Sequence, residues 1–183
     1  MRVIGGTHRG RRLTAPAGTA TRPTADRIRE SLFNILAGCL QDKQVLDLFA
    51  GTGALGIEAL SRGAAAAVFV DRAKAALAAI AHNLTALQLT TRGHVIRWDI
   101  LKNLDCLRHT PHCFDLVFMD PPYDRNAVGP ALAALLQVGV LAPGARIIVE
   151  HSRREPLPAM DALSLSDQRR FGKTLVSFMD SML

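Results

Sequence analysis

The stretch Phe114–Arg125 reads FDLVFMDPPYDR: an apolar run, then Asp120, Pro121, Pro122 and Tyr123, the chain's only tyrosine. An acid, two residues without a backbone N–H and one aromatic ring suit the alkylation of an amino nitrogen on a flat ring. Such a nitrogen is a poor nucleophile because its lone pair is delocalised. Two acceptors that grip its N–H groups hold it pyramidal and aim the lone pair at an electrophilic carbon. Asp120 supplies one acceptor through its side chain. The Pro121 carbonyl supplies the other, held still by proline's fixed φ. Tyr123 offers a face for base stacking, worth roughly 1–3 kcal/mol. Positioning of this kind carries most of a rate enhancement, and no metal is required. The plainer reading of the same residues is an Asp-Pro-Pro turn that closes a strand.

A second stretch, DLFAGTGALG at 47–56, raises the question of what delivers the carbon. Gly51 to Gly56 match the G-x-G-x-x-G fingerprint, and Asp71 follows Gly53 by 18 residues, about where a ribose-binding acid belongs. An NAD-dependent oxidoreductase is therefore an alternative. Asp47, at the mouth of the glycine loop, counts against it, because a carboxylate there repels a pyrophosphate. Tyr123 also has no lysine four residues on, where Ala127 stands, and no segment remains for a substrate domain. A phosphate-cradling P-loop is excluded because no Gly-Lys-Ser/Thr follows. S-adenosyl-L-methionine fits better. Gly51 and Gly53 let the backbone approach closely, and the N-terminus of the following helix favours the methionine carboxylate. Asp47 faces the ammonium, Asp71 the ribose hydroxyls and Asp99 the adenine amino group.

These residues must be positioned by regular elements, and apolar runs mark them. Strands are expected at 44–49, 66–71, 93–99, 114–120 and 146–151, separated by helices near 54–62, 73–88, 100–107 and 126–138. That alternation predicts an α/β, Rossmann-like fold, a mostly parallel sheet with helices on both faces. Residues 163–180 hold two more strands joined through Gly172, a closing antiparallel hairpin. Thr24 is placed to cap a helix whose Ile28, Leu32, Ile35 and Leu36 share a face. Trp98 and the aliphatic strand residues are expected in the core. In such sheets ligands bind beyond the carboxyl ends of the strands, which is where Asp71, Asp99 and Asp120 fall.

Charge is unevenly placed. Residues 1–30 carry seven arginines against Asp26 and Glu30, a net of +5 of the chain's +6. Guanidinium forks suit phosphate better than ammonium does, so Arg2, Arg9, Arg11, Arg12 and Arg22 are expected to contact RNA; a solvated basic arm is the alternative. Residues 1–20 read as a basic hairpin arm and 21–183 as the catalytic domain. Removing the arm is expected to weaken RNA binding and spare cofactor affinity. Glycines and Pro16 oppose an amphipathic transit peptide. No run approaches the roughly 18 apolar residues of a membrane span. Three cysteines without a paired framework fit the cytoplasm. Cys106, His109, His112 and Cys113 have zinc-like spacing, but a polar loop is expected there and no metal. No obligate protein partner is marked, and a monomer is the expectation.

Asp120–Tyr123 resemble the DPPY motif of methyltransferases that modify exocyclic amino groups of nucleobases or, in one branch, a glutamine amide, and with the glycine loop they indicate an amino methyltransferase. The chain further resembles the RsmD family, the bacterial 16S ribosomal RNA (guanine-966-N2)-methyltransferases. The resemblance lies in RVIGGTHRGRRL near the start, RPTADRIRESLFNIL at 22–36, DLFAGTGALGIEALSRGA at 47–64, DPPY at 120–123 and RFGKT at 170–174. Phe171 stands where an aromatic with a hydroxyl is frequent. The resemblance implies a class I S-adenosyl-L-methionine-dependent methyltransferase fold with a seven-stranded sheet and a small N-terminal β-hairpin extension. It implies transfer to one guanine of 16S rRNA within the 30S subunit or a late assembly intermediate. It assigns Asp47, Gly51, Gly53, Asp71 and Asp99 to the cofactor, and Asp120, Pro121 and Tyr123 to catalysis.

Overall fold

The computed structural model describes residues 1–16, 23–110 and 113–183, with the backbone alone at 23–25. Arg22, the Thr24 cap and His112 lie outside the described residues or side chains. The strands are β1 (Gln44–Leu48), β2 (Ala66–Asp71), β3 (Gly93–Arg97), β4 (Phe114–Met119), β5 (Leu141–Ser152), β6 (Leu163–Phe171) and β7 (Thr174–Ser181). The α-helices are α1 (Pro23–Ile35), α2 (Ala54–Ser61), α3 (Lys74–Ala86) and α4 (Val128–Val138). They form one seven-stranded sheet in the order β3-β2-β1-β4-β5-β7-β6. β1 to β5 pair in parallel, and β7 runs antiparallel to both β5 and β6. The chain winds outward from β1 in one direction and then from β4 in the other, so the switch point lies between them.

Alternation along the strands divides the core into two layers. Val45, Phe69, Leu116 and Phe118 face α1, α2 and α3 through Phe33, Ile57, Leu60, Ile80 and Leu84. The Phe33 and Phe118 rings meet at 5.6 Å between centroids. Leu46, Leu48, Val117 and Met119 face the other way, under Val128, Leu132 and Leu135 of α4. Gly56 lets α2 lie against the sheet, since a Cβ there would stand 2.4 Å from the Phe69 ring and 3.1 Å from Asp47 Oδ2.

Two expectations are corrected. Residues 100–107 form no α-helix, only a 3-10 turn at Asp105–Leu107. The Asp99 carboxylate accepts the Leu101 amide at 3.3 Å and Asn103 Oδ1 accepts the Asp105 amide at 3.1 Å. Short polar side chains thus bind backbone groups that a helix would need. Ile100, Leu104 and Leu107 still cover the sheet. Trp98 is not core: β3 ends at Arg97, and the indole is 37% exposed with its N–H donated to Asn103.

The N-terminal segment forms an antiparallel bridge between Arg2 and Arg12 around a 3-10 turn at Gly6–His8. Val3 and Leu13 are buried in the layer that holds α1 and α2. Glu58 of α2, itself buried, accepts the Ile4 and Gly5 amides at 2.7 Å each and pairs with Arg62 at 2.8 Å. Among the described residues no helix is long and apolar enough to cross a membrane.

Candidate active site

Beyond the carboxyl ends of β1 and β4 lies a cleft with two lobes that share Phe49 and Asp120. The smaller lobe, about 160 Å³, is bordered by Asp47, Gly51, Thr52, Arg29 and Glu150. The larger, about 480 Å³, is bordered by Asp71, Trp98, Asp99, Ile100 and Pro122. Phe49 stands between them with φ +58, a left-handed conformation that costs a bulky residue energy and marks functional sites.

The loop after β1 is shaped by hydrogen bonds to acids. Gly51 has φ +55 and donates its amide to Asp71 Oδ2 at 2.9 Å. Asp71 Oδ1 accepts the Ala73 amide at 2.8 Å, so the carboxylate is fixed at the end of β2 with lone pairs left for hydroxyl donors. Gly53, at φ +73, is the N-cap of α2 and stands between Thr52 and Ala54, which border the smaller lobe. Asp47 is buried and accepts the Gly56 amide at 2.9 Å. Burial, with the Asp71 charge adding, pushes its carboxyl up to about 8 against the Gly56 hydrogen bond. A buried acid kept near neutrality in this way is poised to meet a cation.

Asp120 follows β4, with its amide 3.5 Å from the Leu48 carbonyl. Its side chain is exposed to the cleft and borders both lobes. Desolvation there, then the charges of Glu150 and Asp47, raises its pKa well above the usual carboxylate range. Pro121 is buried behind it. The Tyr123 ring is 39% exposed beside the cleft, and its hydroxyl bonds Glu150 Oε1 and Thr174 Oγ1. The phenol is shifted upward by burial and by Glu150, and Glu150 is itself shifted upward by burial. Asp99 lines the larger lobe, with Arg72 Nη1 3.9 Å from one of its oxygens.

The structure therefore brings Asp47, Gly51, Asp71, Asp99 and Asp120 around one cleft, with Gly53, Pro121 and Tyr123 at its margins. A molecule with an amino-acid end, a ribose and a purine matches the two lobes: a buried acid and a guanidinium in the small one, two acids and an indole in the large one. Three contributors escape sequence reasoning. Glu150 hides in the apolar run of β5, and Glu58 and Arg29 sit on helices where charge is ordinary. The signal for Glu150 is a carboxylate inside RIIVEH. Arg29 is 5% exposed, and burial lowers its pKa despite the nearby Asp26 and Glu58.

Of the arm arginines, Arg2, Arg9, Arg11 and Arg12 are exposed. Arg2 Nη1 donates to the Gly10 carbonyl at 2.7 Å and Arg11 Nη2 to the Ala86 carbonyl at 3.1 Å. None of the four makes an ion pair among the described residues. Cys106 and Cys113 are free, and burial pushes the Cys106 thiol up to about 11. Among the described residues no three His, Cys, Asp or Glu side chains gather as metal ligands.

Comparison with known proteins agrees with this geometry. Residues 1–180 match the family model described as conserved hypothetical protein 95. The ribosomal RNA small subunit methyltransferase D of Escherichia coli K12 is 41% identical over 162 residues, covering 88% of this chain and 80% of that one. Its Haemophilus influenzae namesake is 36% identical over 173 residues, covering 94% and 89%. The solved E. coli chain yhhF superposes with a TM-score of 0.85 at 36% identity, covering 99% and 97%. The sheet is thus a class I methyltransferase sheet, and the chain belongs to the conserved hypothetical protein 95 family, which is the RsmD family of ribosomal RNA small subunit methyltransferases.

Proposed function

We propose that this protein transfers a methyl group from S-adenosyl-L-methionine to the exocyclic N2 of a single guanine of 16S rRNA, of the guanine-966 type. The supporting observation is Asp120, which borders both lobes of the cleft at the end of β4. It is the one acid placed where an amino-acid lobe and a nucleoside lobe meet, next to the Pro121 carbonyl. The donor, when bound, supplies an electrophilic methyl on a sulfonium. Asp47 faces its ammonium, Asp71 its ribose hydroxyls and Asp99 its adenine amino group, with Gly51 and Gly53 allowing close backbone approach.

The Asp120 carboxylate accepts one N–H of the guanine amine and the Pro121 carbonyl accepts the other, which turns the nitrogen lone pair toward the sulfonium. Its raised pKa makes Asp120 a better proton acceptor than an ordinary aspartate. A cationic donor beside Asp47, Asp120 and Glu150 offsets their mutual repulsion and favours the ionised form that catalysis needs. The Tyr123 ring, tethered through its hydroxyl to Glu150, supports the base after it leaves its stack. Exposed Arg2, Arg9, Arg11 and Arg12, with Arg22, hold flanking phosphates. A substrate within the 30S subunit or a late assembly intermediate places the protein in the cytoplasm, where it acts as a monomer.

Labelled donor is incubated with 30S particles from a strain lacking the homologous gene, and the rRNA is digested to nucleosides. N2-methylguanosine at a single position is expected, and Asp120→Ala is expected to abolish it while the donor still binds. Label in another base, in DNA or in protein would sink the assignment.

A further inference from the structure

The smaller lobe holds a guanidinium with unused donors. Arg29 Nη2 spends its hydrogens on the Arg2 carbonyl at 2.6 Å and on Asp26 Oδ1 at 3.1 Å. Its Nε and Nη1 are buried without a hydrogen-bond partner. These are three of the five N–H groups of the fork, and unmet buried donors on a charged group carry a heavy desolvation cost. Native structures rarely leave such groups unmet unless something else occupies the site. Among the described residues Arg29 is also the one cationic side chain bordering this lobe, together with Asp26, Asp47, Asp120 and Glu150. A multiply charged anion is disfavoured among four acids. A zwitterion is not, because its ammonium has Asp47.

We propose that Arg29 is the carboxylate subsite of the cleft: its unpaired N–H groups receive the carboxylate of the donor's amino-acid end, while Nη2 remains on the arm. This rests on the reading of the cleft as an S-adenosyl-L-methionine site and changes one part of it. The sequence places that carboxylate at the N-terminus of α2. There, however, the Gly56 amide is already donated to Asp47. The arrangement ties together two functions, since one side chain holds both the donor and the backbone of Arg2. Arg29 is thus a binding residue for the amino-acid end, with no contact to the methyl acceptor required.

The test is a calorimetric comparison of S-adenosylhomocysteine with its decarboxylated analogue, on the full chain. The unaltered protein is expected to bind the carboxylated ligand about 10- to 100-fold more tightly, the range of a charge-assisted hydrogen bond. Arg29→Gln is expected to erase that preference by weakening the carboxylated ligand alone, and Arg29→Lys to restore part of it. Equal loss for both ligands in Arg29→Gln would mean that Arg29 only supports the fold and would overturn the proposal. Should Arg29→Gln fail to fold, the unaltered protein still decides: equal affinity for both ligands removes any carboxylate subsite. If it bound neither ligand, the reading of the cleft itself would fall.

Discussion

Arg29 donates from Nη2 to the main-chain carbonyl of Arg2 at 2.6 Å, so the N-terminal arm is fastened to a side chain that borders the cleft. Glu58 fastens it a second time through the Ile4 and Gly5 amides. These contacts lead us to predict that loss of the arm also weakens donor binding, against the expectation from sequence that cofactor affinity is spared. Deleting residues 1–13 exposes the sites of Val3 and Leu13, at a cost of roughly 3–6 kcal/mol. It also leaves Glu58 short of two donors. A melting temperature lower by about 10 °C is expected, with donor affinity reduced at least about 10-fold. Unchanged donor affinity in a titration of the truncated protein would contradict this coupling.

Tyr123 separates stacking from tethering. Tyr123→Ala removes the ring and should lower kcat/KM for rRNA by about 5- to 150-fold, the equivalent of one base stack. Tyr123→Phe keeps the ring and loses only the hydroxyl bonded to Glu150 and Thr174, so its loss should be several-fold smaller. Steady-state kinetics on particles would distinguish the two; equal losses would show that the hydroxyl matters more than the face.

Donor binding should depend on pH through Asp47. With its carboxyl at about 8, the free protein holds this proton at pH 6.5. The donor's ammonium favours the ionised form, so binding lowers that pKa and expels the proton. Affinity should therefore climb from pH 6 toward 8, by up to about tenfold per unit, and stop climbing where the donor's own amine titrates, about 7.7–8.0. Calorimetry in two buffers of different ionisation enthalpy counts the released proton. A flat profile with no proton release would show that Asp47 does not face the ammonium.

Asp47 also costs stability. Because its pKa is raised on folding, the native state binds more protons than the unfolded one above the ordinary carboxylate range, and stability falls as pH rises toward about 8. Asp47→Asn should thus melt higher than the unaltered protein at pH 9, by roughly 3–6 °C, while binding the donor at least about 10-fold more weakly. A lower melting temperature at that pH would mean that the carboxylate contributes more as an acceptor for Gly56 than it costs as a buried charge.

Arg9 and Arg12 are exposed and free of ion pairs among the described residues. Replacing both with glutamine should leave melting and donor affinity unchanged and weaken rRNA binding. The slope of log K against log salt should flatten by about 0.7–0.9 for each phosphate no longer neutralised. Filter binding across a salt series reads this directly, and an unaltered slope would remove these two residues from the RNA interface.

The strands, the glycine loop and the DPPY corner were legible because each is a local pattern: an apolar run, a spacing, a pair of prolines. What escaped depends on residues distant in sequence. Arg29 reads as one more charge on a helix until Arg2 and the cleft close around it. Glu58 lies on α2, where an acid is unremarkable, and only the folded arm gives it its two amides. The failure at 100–107 has a local cause, since Asp99 and Asn103 compete for the amides a helix would use. Trp98 misleads for a simpler reason, because hydrophobicity alone cannot distinguish a core ring from one that walls a ligand cleft.

The order of the sheet has a consequence for how the chain comes to be folded. β1 is an interior strand, but its neighbour β4 begins at Phe114, and β5 gains its second partner only when β7 arrives at Thr174. Such non-local pairings slow folding, and no half of the chain completes a closed layer by itself. A product cut short before residue 174 would present the open flank of β5, an apolar template for other chains. Premature termination should accordingly yield insoluble aggregate, with no smaller enzyme left in solution.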